Sequence, residues 1–144
     1  MSAIKIYVPR ETTSVSVGAD EVAVEIAREA KKRGAEIRLI RNGSWGACWL
    51  EPLVEVELGE TRIAYSNITP GDVAALFDAG LLEGGEHERR VGPTNEIEYL
   101  INQDRWTFWR CGLTEALSLD DFLLHQGFKA LQKAWEIGAD AVID

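Results

Sequence analysis

Polar and apolar positions alternate along Ile4-Lys5-Ile6-Tyr7-Val8 in β-favouring residues, which predicts a strand ended by Pro9. A polar loop with Thr12, Thr13, Ser14 and Ser16 leads to Gly18. The period then changes. Val22, Ile26 and Ala30 form one apolar stripe with Ala23 and Ala27 beside it, and the spacing predicts a helix over 20–33. Asp20 and Glu21 at its start and Lys31, Lys32 and Arg33 at its end suit the helix dipole, and Gly34 is a natural left-handed stop. Glu36-Ile37-Arg38-Leu39-Ile40 returns to strand character. Strand, helix and strand with short joints make a βαβ unit, so the two strands should be parallel neighbours. Leu53–Leu58 alternates strictly, Gly59-Glu60 turns, and Arg62–Tyr65 comes back as the second arm of a hairpin. Thr69 then caps a helix with Pro70 in its first position and Val73, Leu76 and Phe77 on its apolar side, up to Gly80.

The order β-α-β-β-β-α fits residues 1–82 as an α/β sandwich, with both helices on one face of a four-stranded mixed sheet. This layout resembles that of the thioredoxin-like [2Fe–2S] ferredoxins. Residues 83–94 are polar, Gly-bearing and charge-dense, which predicts a linker, with His87 a solvated histidine between glutamates. The remainder, 95–144, reads as mainly helical. A short helix is expected over Asn95–Gln103, and a strand-like run over Trp106–Trp109. Ser118 with Asp121 opens a further helix, and a second amphipathic helix carries Phe128, Leu131, Ala134 and Trp135 to Gly138. Ala139–Asp144 reads as the first turn of another.

Bulk properties narrow the function. A formal net charge of -9 repels a phosphate backbone, so no nucleic-acid partner is expected. No apolar run approaches the ~18 residues that span a bilayer, so membrane insertion is not expected either. Cys48 and Cys111 are too few for a disulfide scaffold, and with no secretory signal in view a reducing, cytoplasmic setting follows. Thiol–disulfide chemistry would need a C-x-x-C at the first strand–helix junction, but Pro9–Ser14 holds no cysteine. His87 and His125 are the only histidines, and neither adjoins a nucleophilic serine turn. No phosphate-binding glycine motif occurs. Asp120 and Asp121 read as capping.

The chemistry therefore concentrates in Arg41–Pro52, which holds two glycines, two tryptophans and Cys48. A [2Fe–2S] centre needs thiolates converging from two loops. In the thioredoxin-like ferredoxins, one loop carries Cys-x4-Cys and the other Cys-x3-Cys with an inner glycine and a following proline. On that resemblance, Pro52 and Gly46 place the second pair at Ser44 and Cys48, and Gly18-Ala19 places the first pair at Pro9 and Ser14. Three of the four ligand positions are then not cysteine, and the resemblance implies a fold kept without its metal. Cys48 is expected as a small buried hydrophobe, and Trp45 and Trp49 as fillers of the cluster's volume.

The second half adds a wider resemblance. Leu113–Phe122 followed by His125–Ala134 resembles the segment that opens the NADH- and FMN-binding subunit of respiratory complex I and its soluble relatives. Val8-Pro9-Arg10, Arg41–Val56 and Asp78–Gly85 are similar to the beta subunit of NAD-dependent formate dehydrogenases, where a thioredoxin-like domain precedes the flavin domain. Ala116 and Gln126 depart mildly from that pattern. The resemblance implies the N-terminal part of such a subunit, ending before the flavin loop. No cofactor and no catalytic residue would then belong to these 144 residues, while FMN, NAD and Fe–S clusters would belong to the parent complex and its other subunits would be the partners. Two alternatives stand beside it: an active [2Fe–2S] electron carrier, and a free-standing adaptor of the same fold.

Overall fold

The computed structural model describes residues 3–143. Strand β1 (Ile4–Tyr7) is followed by a short helix α1 (Thr12–Ser16) and the long helix α2 (Ala19–Arg33). Strands β2 (Ile37–Ile40), β3 (Val54–Leu58) and β4 (Thr61–Tyr65) come next. A 3₁₀ turn at Pro70–Asp72 leads into α3 (Val73–Asp78), and β5 (Arg90–Pro93) closes the sheet. The rest is helical: α4 (Glu98–Ile101), α5 (Leu119–Leu124), α6 (Lys129–Ile137) and α7 (Ala139–Ile143). Among the described residues, no helix is long and apolar enough to cross a membrane.

The sheet order is β2-β1-β3-β4-β5. β1 and β2 run parallel, as the βαβ pattern predicts, and every other pairing is antiparallel. Strand alternation sorts the side chains onto two faces. Ile6, Val56 and Ile63 lie abreast on one face, joined in the core by Val8, Val54 and Tyr65. Against them pack Val22, Ile26 and Ala30 of α2 and Val73, Leu76 and Phe77 of α3. The helices therefore sit where the two apolar stripes demand. Their ends are joined by charge: Arg33 reaches Asp78 at 2.7 Å and Glu29 at 2.7 Å, and stacks over Phe77 at 5.4 Å. This guanidinium holds the Glu29 carboxyl below its ordinary value. Thr69 and Asp72 form a reciprocal capping box at the start of the helical segment that runs into α3.

Two expectations need correction. The sheet has five strands, because β5 lies in the stretch expected to be a linker. Arg90-Val91-Gly92-Pro93 has neither alternation nor β-branched density, and an edge position tolerates its proline. The preceding Gly84-Gly85 is close packing rather than slack. A Cβ on Gly85 would lie 1.8 Å from the Ala79 carbonyl oxygen, and Tyr65 donates to the Gly85 carbonyl at 2.7 Å. Trp106–Trp109 forms turns, not a strand. It finds no neighbouring strand to pair with, and Trp106 is 86% exposed.

Candidate functional site

The sheet face opposite the helices is built differently. It presents Lys5, Tyr7, Glu55, Glu57 and Arg62, the polar partners of the alternating strands. Tyr7 and Lys5 both donate to Glu57, the latter at 2.7 Å. Burial, with the bond to Glu57, pushes the Tyr7 hydroxyl well above its ordinary value. Arg62 lies 3.4 Å over the Tyr7 ring and 3.6 Å from Glu55. Glu55 is fully buried and accepts from Trp45 Nε1 at 3.0 Å and Thr94 at 2.8 Å. Burial raises its carboxyl above the ordinary value; Arg62 and the donors pull the other way without cancelling it.

This network fastens the later part of the chain to the sheet. Arg62 donates to the carbonyls of Gly112 at 2.7 Å and Leu113 at 3.3 Å, and Asn42 Nδ2 donates to the same Gly112 oxygen at 2.8 Å. An antiparallel bridge pairs Asn42 with Glu115, and the Gly43 amide donates to Thr114 at 3.3 Å. Gly112 has φ +83°, and a Cβ there would lie 2.1 Å from the Trp45 ring.

The positions singled out from sequence lie at the end of the sheet, on the loops after β1 and β2. Their near ends are zipped together. The Arg10 amide donates to Asn42 at 2.9 Å, while Arg41 donates to the carbonyls of Val8 at 3.0 Å and Pro9 at 3.1 Å and pairs with Asp20 at 2.7 Å. Pro9 is buried and offers only its carbonyl, which Arg41 takes. Ser14 is fully buried, and its hydroxyl donates to Glu11 at 2.8 Å. Ser44 donates to Glu51 at 2.8 Å. Cys48 opens a 3₁₀ turn and is exposed, its Sγ 3.7 Å from the Gly46 carbonyl.

Cys48 is thus not the buried hydrophobe expected, because the 3₁₀ turn over Cys48–Leu50 carries it outward. The tryptophans do not take the expected place either. Trp45 folds onto the second sheet face, held by Glu55, with Arg105 5.3 Å over its ring. Trp49 is 58% exposed and meets Tyr99 edge-on at 4.8 Å. The buried charged group of the second loop is Glu51, which sequence reasoning passed over. It is 5% exposed and accepts from Ser44 and from the Leu53 amide at 2.9 Å. Burial pushes its carboxyl up. A glutamate before a proline gives no periodic signal, so only the buried surroundings mark it.

The other candidates have local roles. Ser118 caps α5 by accepting from the Asp121 amide at 3.1 Å, as expected, and Asp121 accepts from the Glu115 amide at 2.7 Å. His87 accepts from the Arg89 amide at 3.1 Å, and His125 accepts Arg110 on its carbonyl at 3.0 Å. Cys111 is half-buried on the wall of an open cavity of about 500 Å³ shared with Ser44, Trp45 and Tyr99. Among the described residues, no group of three or more His, Cys, Asp or Glu side chains is placed to hold a metal ion.

A [2Fe–2S] cluster asks for four thiolates, and the residues at these loops do not fit it. Pro9 has no side-chain donor, the Ser14 and Ser44 hydroxyls are turned to carboxylates, and one exposed thiol remains.

No protein-family model matches the chain. Among solved structures, a thioredoxin-like [2Fe–2S] ferredoxin from Aquifex aeolicus superposes with a TM-score of 0.53 at 18% identity, covering 65% of this chain and 94% of that one. Another structure of the wild-type Aquifex protein gives 0.52 at 18%, covering 64% and 99%. A cysteine-to-serine variant of it gives 0.52 at 20%, covering 62% and 98%. At these identities the likeness establishes the fold: an α/β sandwich of the thioredoxin-like ferredoxin type, here followed by a helical C-terminal segment.

Proposed function

We propose that this chain is a non-catalytic docking domain: the N-terminal part of the NADH- and FMN-binding beta subunit of an NAD-dependent formate dehydrogenase. In that complex formate would be oxidised and its electrons passed through Fe–S clusters and FMN to NAD, all outside these 144 residues. The observation that carries the non-catalytic part is the donor set of the two loops. A single exposed thiol stands where a cluster would need four, and the remaining positions are committed to hydrogen bonds within the protein. The docking part is supported by residues 98–143. Trp106, Leu117, Leu124, Trp135 and Ile143 are between 78% and 86% exposed there, and α5, α6 and α7 bury no residue. Exposed apolar area on this scale marks a surface that a partner covers. The assignment to a formate dehydrogenase rests on the sequence resemblance of Val8–Arg10, Arg41–Val56 and Leu113–Ala134.

An affinity-tagged copy in its native cells tests the proposal. The tagged protein is expected to bring down flavin- and iron-containing subunits together with formate-dependent NAD reduction. Recovery of the chain without these, under conditions that preserve complexes, overturns it. The [2Fe–2S] content of the Aquifex neighbours favours a second reading, an electron carrier in its own right. That reading requires iron and acid-labile sulfide in the purified chain.

A further inference from the structure

Where the later stretch meets the sheet, the two enclose a cavity of about 330 Å³. Trp45, Arg62 and Thr94 line it from one side, and Leu100, Arg105 and Leu113 from the other. Two guanidiniums thus share a cavity with an indole and two leucines, and each needs acceptors for its donors. Arg62 has them. The carbonyls of Gly112 and Leu113 accept from it at 2.7 and 3.3 Å, and Glu55 lies 3.6 Å away. Arg105 is only partly supplied. Its Nη2 donates to the Trp45 carbonyl at 3.1 Å, and its guanidinium lies 5.3 Å over the Trp45 ring. Its Nη1 is buried and meets no acceptor. Among the described residues no carboxylate pairs with Arg105. We propose that this cavity is a binding site for a small organic monoanion, a carboxylate whose oxygens take the spare Arg105 donor and whose apolar body lies against Trp45, Leu100 and Leu113.

Size and charge set the class of ligand. The volume is at the small end of the range for ligand sites, and apolar walls with a few placed polar groups are their usual make-up. Glu55 offsets Arg62, which leaves Arg105 as the cation without a counter-charge. That balance suits a monoanion better than a phosphate dianion, and the exposed Glu60 on the same wall opposes further negative charge. A planar guanidinium with a free donor edge matches a carboxylate, and the apolar walls strengthen the attraction by keeping water away. The neighbouring cavity of about 500 Å³ also touches Arg105, but Asp104 stands on its wall, so it suits an anion less well. Because the walls come from both regions, an occupant bridges them and holds Leu100 and Leu113 against the sheet side. The site is independent of the docking role.

Titration of the full chain with benzoate tests the site, followed by calorimetry and by the NMR signals of Trp45 Nε1 and Arg105 Nε. A single saturable event is expected, with both signals shifting together. Benzyl alcohol keeps the ring without the charge and should bind roughly tenfold more weakly, because a hydrogen bond to a charged group is lost. Phenyl phosphate should bind no more tightly than benzoate. Arg105→Gln should weaken benzoate by a similar factor and leave benzyl alcohol unchanged. Should that variant not fold, Leu100→Trp fills the cavity from its other wall and is expected to abolish the shifts. The proposal is overturned by any of four results: no saturation by about 10 mM benzoate, benzyl alcohol or phenyl phosphate binding as well as or better than benzoate and more tightly respectively, unchanged benzoate affinity in Arg105→Gln, or undiminished shifts in Leu100→Trp.

Discussion

Residues 3–97 and 98–143 both carry apolar side chains at helical or strand spacing, yet they dispose of them in opposite ways. Every buried apolar core residue lies at or before Leu81, and Ile26, Val56 and Leu76 have no exposed surface. In the later stretch Trp106 is 86% exposed, Leu117 83% and Trp135 78%. α2 and α6 are both amphipathic, but α2 packs on a sheet, while α6 touches the short α7 and buries none of its residues. The later stretch holds itself together locally instead. Arg110 stacks over Trp109 and Phe122, and Phe122 meets Phe128 edge-on at 5.1 Å. A periodic stripe announces that a surface must be covered; it does not say which molecule covers it.

Arg62 joins the two regions alongside Asn42, Gly43 and Trp45, and it is the tie that also brings a cation to a buried carboxylate. Arg62→Ala strips the cation from fully buried Glu55 and the donors from Gly112 and Leu113 together. It should cost about 3–5 kcal/mol in denaturant unfolding, because it leaves a buried carboxylate unpaired. Residues 110–115 should lose exchange protection first. A loss confined to the surface-mutation range would show that the later stretch is not anchored there.

Gly112→Ala attacks the junction from the other side. The new Cβ meets the Trp45 ring at a backbone angle that side chains avoid. A loss of about 1–3 kcal/mol is expected, with α2 and the sheet keeping their exchange protection. Unchanged stability would mean that Trp45 moves aside freely.

Much of the first region was legible in its sequence, and the reason is physical. The α2 stripe, its charged ends, Gly34, the β3–β4 hairpin around Gly59 and the Thr69 cap all encode local structure in residues close together in the chain. β5 was not legible, because an edge strand of four residues with a glycine and a proline is made by its partner strand. The site was half legible. Spacing brought out Pro9, Ser14, Ser44 and Cys48, and the structure turns Ser14 and Ser44 each to a carboxylate, Glu11 and Glu51. Cys48 faces outward, and Pro9 meets Arg41 through its carbonyl. Glu51 and Glu55 escaped notice because a charged residue next to apolar ones reads as surface until a fold buries it.

Burial of Glu55 makes the stability of the first region depend on pH. Its carboxyl titrates above the ordinary value of 4.5 when folded, because burial disfavours the charge. The native state therefore holds this proton more tightly than the unfolded chain. The resulting stability is fully present below the unfolded value and is lost as pH rises through the folded one. Compared with Glu55→Gln, the natural chain should lose stability steadily as pH is raised from 4.5 towards neutrality. A relative gain over that range would contradict the assignment.

At the small end, Trp135→Ser should leave the isolated chain's stability within about 0.5 kcal/mol, since the indole covers nothing there. The same substitution should weaken association in the parent complex if α6 is a covered face. A large loss in the isolated chain would instead place Trp135 in a core.

The measurement that bears most directly on the central claim is iron and acid-labile sulfide analysis of the chain purified without oxygen, together with its visible spectrum. A thioredoxin-like ferredoxin fold whose two loops offer the single exposed thiol of Cys48 predicts no stoichiometric iron or sulfide and no sulfide-to-iron charge-transfer bands. Iron and sulfide in the ratio of a [2Fe–2S] centre, with those bands present, would contradict it.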